Sequence, residues 1–131
     1  MFQPLLAKAS LTEINMQNIK LIDYGAFRGC TRLTNIDMPN LISIDSEAFY
    51  GCTNITNITM VHITSIAPGA FYGCTGLITI NMPKIINIGP GAFYGCTNIT
   101  NITMPNINSI GPGAFYGCTF WIFFKNPKRA L

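Results

Sequence analysis

Five cysteines stand at Cys30, Cys52, Cys74, Cys96 and Cys118, each 22 residues after the last, and each closes the same phrase, Ala-Phe-x-Gly-Cys. A period of this length, kept in phase over most of a 131-residue chain, is the signature of a solenoid in which every repeat is one coil. A second phrase precedes each cysteine: Leu/Ile-x-x-Ile-x-Met, at Leu11 to Met16, Leu33 to Met38, Ile55 to Met60, Leu77 to Met82 and Ile99 to Met104. Its β-branched residues, and the alternation of Ile36 and Met38 around Asp37, predict a short strand. Pro39, Pro83 and Pro105 then end it by removing a ladder donor.

In the repeat that starts at Leu33, the positions that stay apolar are Leu33, Ile36, Met38, Leu41, Ile44, Ala48, Phe49 and Cys52. Burying each large side chain contributes roughly 1.5–3 kcal/mol. Ordering the whole repeat costs roughly 1.5 kcal/mol per residue, so one coil cannot fold alone. Stacking supplies the difference, and the strands are expected to pair into one parallel sheet. Gly29, Gly51, Gly73, Gly95 and Gly117 never vary, which predicts a backbone position with φ > 0 or a tight approach. The position of Gly25, Gly69, Gly91 and Gly113 is held by Glu47 in one copy, so a left-handed backbone is not expected to be obligatory there.

Taken together, the strand phrase, an Ile-x-x-Ile step such as Ile63 to Ile66, and Pro-Gly-Ala-Phe-Tyr-Gly-Cys-Thr resemble the BspA-like leucine-rich repeats over residues 11 to 119. The resemblance implies a leucine-rich repeat solenoid, right-handed, with a parallel β-sheet on the concave face and little regular helix. It also implies a surface or secreted protein, since adhesion and host-protein binding are associated with that family. The expected organisation is a single repeat domain over residues 1–131. Residues 1–10 form a decayed coil, 11–119 the five repeats, and 120–131 a last strand and basic tail.

Composition narrows the function. Only 10% of residues are charged, and between Cys52 and Phe124 the sole formal charge is Lys84, so the net charge of +3 offers no basic stripe for nucleic acid. No apolar run approaches the roughly twenty residues of a membrane span. The first ten residues carry an Ala7-Lys8-Ala9 triplet but no basic leader, and Pro4 interrupts their apolar stretch, so they do not read as a secretory signal. One histidine, five acids and no nucleophile motif or phosphate loop leave catalysis without its parts. No cofactor is expected. Neither is a metal site, because no Cys-x-x-Cys pair exists and the thiols of a solenoid point in parallel rather than converge. They are expected to be buried and free.

A protein partner is the remaining class. Two surfaces are candidates. If the strands alternate, Glu13, Asn15, Asn35, Asp37, Asn57, Thr59, Thr79, Asn81, Asn101 and Thr103 point away from the core and line the concave face. Such a face is a common docking surface, although an Asn/Thr ladder also serves simply to solvate a sheet. Tyr50, Tyr72, Tyr94 and Tyr116 share the x position of Ala-Phe-x-Gly-Cys, with Arg28 in the first copy, and form the second surface, read first as packing over the turn. Asn-Ile-Thr sequons fall at Asn54, Asn57, Asn98 and Asn101. Glycans on Asn57 and Asn101 would hinder docking on the concave face.

Residues 121–126, Trp-Ile-Phe-Phe-Lys-Asn, fit a further strand on an open edge that could pair with another subunit. Both termini break in mid-repeat, which reads as a piece of a longer array. A structural spacer segment of such an array is the rival to a binding module, and ice binding through a threonine ladder is a weaker alternative.

Overall fold

The computed structural model describes residues 9–118. The expected strand over 121–126, the basic tail and most of the first decayed coil lie outside these residues. We number the coils by the repeat: coil 1 is 11–32, coil 2 is 33–54, coil 3 is 55–76, coil 4 is 77–98, and coil 5 begins at 99.

Each coil contributes two short strands. The first row comprises β1 (Glu13–Asn15), β3 (Asn35–Asp37), β5 (Asn57–Thr59), β7 (Thr79–Asn81) and β9 (Asn101–Thr103). The second comprises β2 (Leu21–Ile22), β4 (Ser43–Ile44), β6 (Ser65–Ile66), β8 (Asn87–Ile88) and β10 (Ser109–Ile110). All pairings are parallel and join residues 22 apart, as Ile58 with Ile80 and Ile80 with Ile102. The solenoid and its first row are as the repeat predicts. The second row was not expected as strand. It forms because each Ile-x-x-Ile step turns a second Ile inward beside its copy in the next coil.

Inside lie the residues that the repeat marks as apolar. Seven of the eight named in coil 2 are buried, and Ile36 is half-buried. The inner side chains stack in columns. Phe27, Phe49, Phe71, Phe93 and Phe115 lie face to face with centroids 5.2–5.4 Å apart. The rings repeat at one coil's spacing, so Phe49, Phe71 and Phe93 each have both faces covered by a neighbour, which excludes water from them. Cysteines form an adjacent column: all are free thiols, and Cys52, Cys74 and Cys96 donate to the carbonyls of Phe27, Phe49 and Phe71 at 3.1, 3.1 and 3.2 Å.

One parallel sheet was expected, but the strands form four. Pairing runs β1–β3 and β5–β7–β9 in the first row, β2–β4 and β6–β8–β10 in the second, so both rows break between coils 2 and 3. On the turn side the stack continues across the break, through Glu47 N–H to Pro68 O (3.1 Å), Phe49 N–H to Ala70 O (2.8 Å) and Gly51 N–H to Tyr72 O (2.7 Å). The break falls where the repeat changes from Asp-x-Gly/Glu, at Asp23 and Asp45, to Ala/Gly-Pro-Gly, at Ala67, Gly89 and Gly111. Amide exchange should reveal it. Ile78 and Ile86 donate to Thr56 O and Thr64 O at 2.8 Å, whereas the equivalent amides across the break, Thr56 and Thr64, make no such bond among the described residues. Hydrogen–deuterium exchange is expected to be fast at Thr56 and Thr64 and slow at Ile78 and Ile86. Uniform protection would mean that the sheet is continuous.

The glycine row from Gly29 to Gly117 has φ between 73° and 84°, as its invariance predicts. The other row corrects the expectation. Gly25, Gly69, Gly91 and Gly113 have φ of 60–67°, and Glu47 at the same position has φ 56°. The left-handed turn is therefore kept in coil 2 without glycine, against a steric cost of roughly 1–2 kcal/mol. A compensating contact is visible: the Glu47 carboxylate pairs with Arg28.

Candidate functional site

The ten outward residues of the first row stand in register within each of its two sheets, Glu13 and Asn15 beside Asn35 and Asp37, and Asn57 and Thr59 beside Thr79 and Asn81 and then Asn101 and Thr103. Eight are exposed; Thr79 and Asn81, on the central strand of the three-stranded sheet, are partly covered by the strands on either side. At the coil 1 end the row is charged and tied together, because Gln17 Nε2 donates to Asn15 Oδ1 (2.6 Å) and Asp37 Oδ2 (3.0 Å). From coil 3 onward it carries no charge at all. There the row is Asn57, Thr59, Thr79, Asn81, Asn101 and Thr103, with Asn57 Nδ2 making only a 3.2 Å bond to Thr56 Oγ1. Such side chains present both donors and acceptors at fixed spacing, on a backbone already ordered by the ladder.

Asparagines outside the strands do a different job. Asn54 Nδ2 donates to Thr31 O at 2.7 Å and Asn98 Nδ2 to Thr75 O at 2.8 Å, each tying its coil to the one before. Of the four sequons, then, two spend their amide on coil stacking and two, Asn57 and Asn101, stand on the exposed row.

The second surface is a column. Tyr50, Tyr72, Tyr94 and Tyr116 stack with centroids 4.7, 4.6 and 5.0 Å apart and planes within 1–17°. Arg28 closes the column at the coil 1 end, with its guanidinium carbon 4.2 Å from the Tyr50 centroid. Both faces of Tyr50, Tyr72 and Tyr94 are therefore spent on neighbouring rings or on a cation, which leaves their edges and hydroxyls for solvent. Burial within the column raises the Tyr72 pKa, helped by the neighbouring Tyr94 and Tyr50 and by a hydrogen bond to Tyr94. Beside the tyrosines lies a shallow groove of about 560 Å³, lined also by Pro68 and Pro90. Sequence reasoning missed both the groove and the Arg28–Glu47–Tyr50 cluster. Their signal was present as two exceptions one coil apart: Arg at a tyrosine position and Glu at a glycine position.

Three thiols of the column are held in their neutral form. Burial pushes Cys74 well above the ordinary value of 9.0, against a weaker opposing backbone bond; the same cause takes Cys96 to about 12 and Cys118 to about 11. Suppressed thiolates are poor nucleophiles and poor ligands. Their linkage is testable. Because the thiols ionise more readily in the unfolded chain, the stabilisation they contribute is complete below pH 9 and is lost as pH rises toward 11–12. Unfolding free energies from urea titrations are expected to be level from about pH 7 to 8.5 and to fall above it, by up to roughly 1.4 kcal/mol per pH unit for each thiol involved. A flat profile to pH 11 would contradict burial of the column.

No group of three or more His, Cys, Asp or Glu is placed to hold a metal among the described residues, and no helix there is long and apolar enough to cross a membrane. Parallel strand rows, stacked inner columns and a polar outer row define the class: a leucine-rich repeat solenoid. The chain belongs to the BspA type leucine-rich repeat family, whose model matches six copies over residues 5–121. Among solved structures it is similar to a leucine-rich cell surface protein of Faecalibacterium prausnitzii. The two are 31% identical with a TM-score of 0.78, over 88% of this chain and 33% of the other. A leucine-rich repeat protein of Bacteroides ovatus is 33% identical with a TM-score of 0.72, over 83% of this chain and 29% of the other. A leucine-rich repeat protein of T. pallidum, at 22% identity and a TM-score of 0.60, shares the fold. The chain thus spans about a third of the length of the first two. No curated protein matches it in sequence.

Proposed function

We propose that this chain is a non-catalytic protein-interaction module that docks its partner on the first strand row, the face that the family resemblance makes concave. The observation that carries the reading is the uncharged stretch from Asn57 to Thr103, a rigid in-register array whose donors and acceptors are mostly exposed. A rigid surface binds without first paying for its own ordering. Its lack of charge favours a partner surface that is polar and near-neutral, since a charged one would lose hydration without an opposite charge to meet. The tyrosine column is the weaker docking surface for a folded protein, because its ring faces are already occupied.

Cell-surface placement is part of the proposal and rests on the Faecalibacterium prausnitzii relative. The test is a pull-down from surface-protein extracts with the parent chain and with Asn35, Asn57, Thr79 and Asn101 changed together to Ala. A specific partner retained by the parent and lost by the folded variant supports the module. If neither chain retains anything, or both retain the same protein equally, the row is only a solvated face and the spacer reading stands.

A further inference from the structure

We propose that the groove beside the tyrosine column is a second binding site, for a proline-rich segment in the polyproline II conformation that carries Lys or Arg at one end. Tyr50, Tyr72, Pro68 and Pro90 line it, and Gly69 and Gly91 add no side chain to it. The volume, about 560 Å³, suits a short stretch of peptide rather than a protein surface.

Spacing chooses the conformation. Two steps of the tyrosine column, 4.7 and 4.6 Å, make close to one turn of a polyproline II helix, which advances roughly 9.3 Å for its three residues. Residues i and i+3 of such a helix therefore meet equivalent surfaces two coils apart between Tyr50 and Tyr94. An extended β-strand repeats its side chains every ~6.6 Å and falls out of step with the coils. Polyproline II also leaves every backbone carbonyl without an internal partner. Tyrosine hydroxyls are donors suited to them, and the edges of the rings suit proline's apolar flank. A sugar ring, by contrast, would need a free aromatic face in the groove, and both faces of Tyr50 and Tyr72 are taken.

Charge sets the direction. Glu47 is the one charged side chain lining the groove, and it lies at the coil 2 end; the rest of the lining is neutral. Arg28 holds its carboxylate in place from outside the groove. A carboxylate accepts from more than one donor, so a cationic residue on the ligand can share it while the uncharged run lies over coils 3 and 4.

The experiment is fluorescence anisotropy with a labelled peptide that has proline at every third position, alanine between, and a terminal arginine. The intact chain is expected to bind it saturably, and a peptide with glycine in place of proline is expected to bind at least about tenfold more weakly. Tyr72→Phe, which keeps the stacked ring, and Glu47→Gln are each expected to weaken binding about three- to tenfold, the loss of one hydrogen bond or charged contact. In Glu47→Gln the preference for arginine over an uncharged terminus should vanish. The four-alanine variant of the strand row should bind the peptide like the parent, which separates this site from the docking row. No saturable binding, equal binding of the glycine peptide, or parent-like binding by folded Tyr72→Phe and Glu47→Gln would each overturn the proposal. So would selective binding of a soluble uncharged glucan with none of the peptide.

Discussion

Replacing Phe71 by Ala is expected to cost about 3–5 kcal/mol, a large share of what a chain of this size has to lose. Phe71 is fully buried, with Phe49 stacked on one face at 5.2 Å and Phe93 on the other at 5.4 Å. Its removal opens a hole that the neighbouring rings cannot fill, since each is itself held by the next ring or by the end of the column. In a solenoid, stability is a sum of coil terms and nearest-neighbour terms, so a central defect weakens two interfaces at once. Phe27, half-buried and stacked on one face by Phe49 at 5.4 Å, should cost less when changed to Ala. Urea denaturation of the two variants gives the comparison. Equal losses would show that the coils do not couple as the stack implies.

Gly89→Val is expected to be the second severe change, at about 2–5 kcal/mol from overpacking together with a broken hydrogen bond. Gly89 N–H donates to Ile66 O at 2.7 Å, and a Cβ at Gly89 would lie 2.8 Å from that same oxygen and 2.8 Å from Pro68 N. Both atoms are backbone, so neither can move aside cheaply. The reason is close approach and not backbone angle, which distinguishes this site from Gly91, two residues on. Gly91 has φ 63°, but the nearest atom to its added Cβ is a tyrosine ring carbon at 3.7 Å, so Gly91→Ala should cost only the roughly 1–2 kcal/mol of a left-handed backbone. Thermal melts that rank Gly91→Ala as the worse change would contradict the packing of coil 4 on coil 3.

Periodicity made much of this legible. The phase of the cysteines places every coil, and the conserved apolar positions within the repeat mark the core, because a side chain repeated at one coil's spacing must pack on its own copy. The outward residues of the first row followed from strand alternation alone. What the repeat did not reveal depends on contacts between coils. A two-residue strand such as Ser43–Ile44 has no pattern of its own and exists through pairing with Leu21–Ile22. Glu47 looked like proof that its position tolerates an ordinary backbone, yet the turn is dictated by the coils on either side and the residue conforms to it. The break between coils 2 and 3 was hidden for a similar reason, since both coils carry the same strand phrase. Tyrosine spacing announced a column, but only the geometry showed that the rings use up their faces and leave a groove beside them.

The two surfaces divide the candidate function. Coil stacking builds both, but the first row is uncharged beyond coil 2 and made of short polar side chains, whereas the groove is shallow and lined by tyrosine and proline rings. A folded partner suits the row and a peptide suits the groove. This division makes the docking row the central claim, because it is the surface that the family's repeat presents in every coil.

Site-specific photocrosslinking tests that claim most directly. A photoreactive phenylalanine analogue would be placed singly at Asn57, Thr79 and Asn101 on the row, and at Lys84 and Asn98 away from it, and each chain illuminated with a surface-protein extract. The three row positions are expected to capture the same protein, and Lys84 and Asn98 are expected not to. Capture of that protein from Lys84 or Asn98 alone, or no capture from any row position, would contradict that claim.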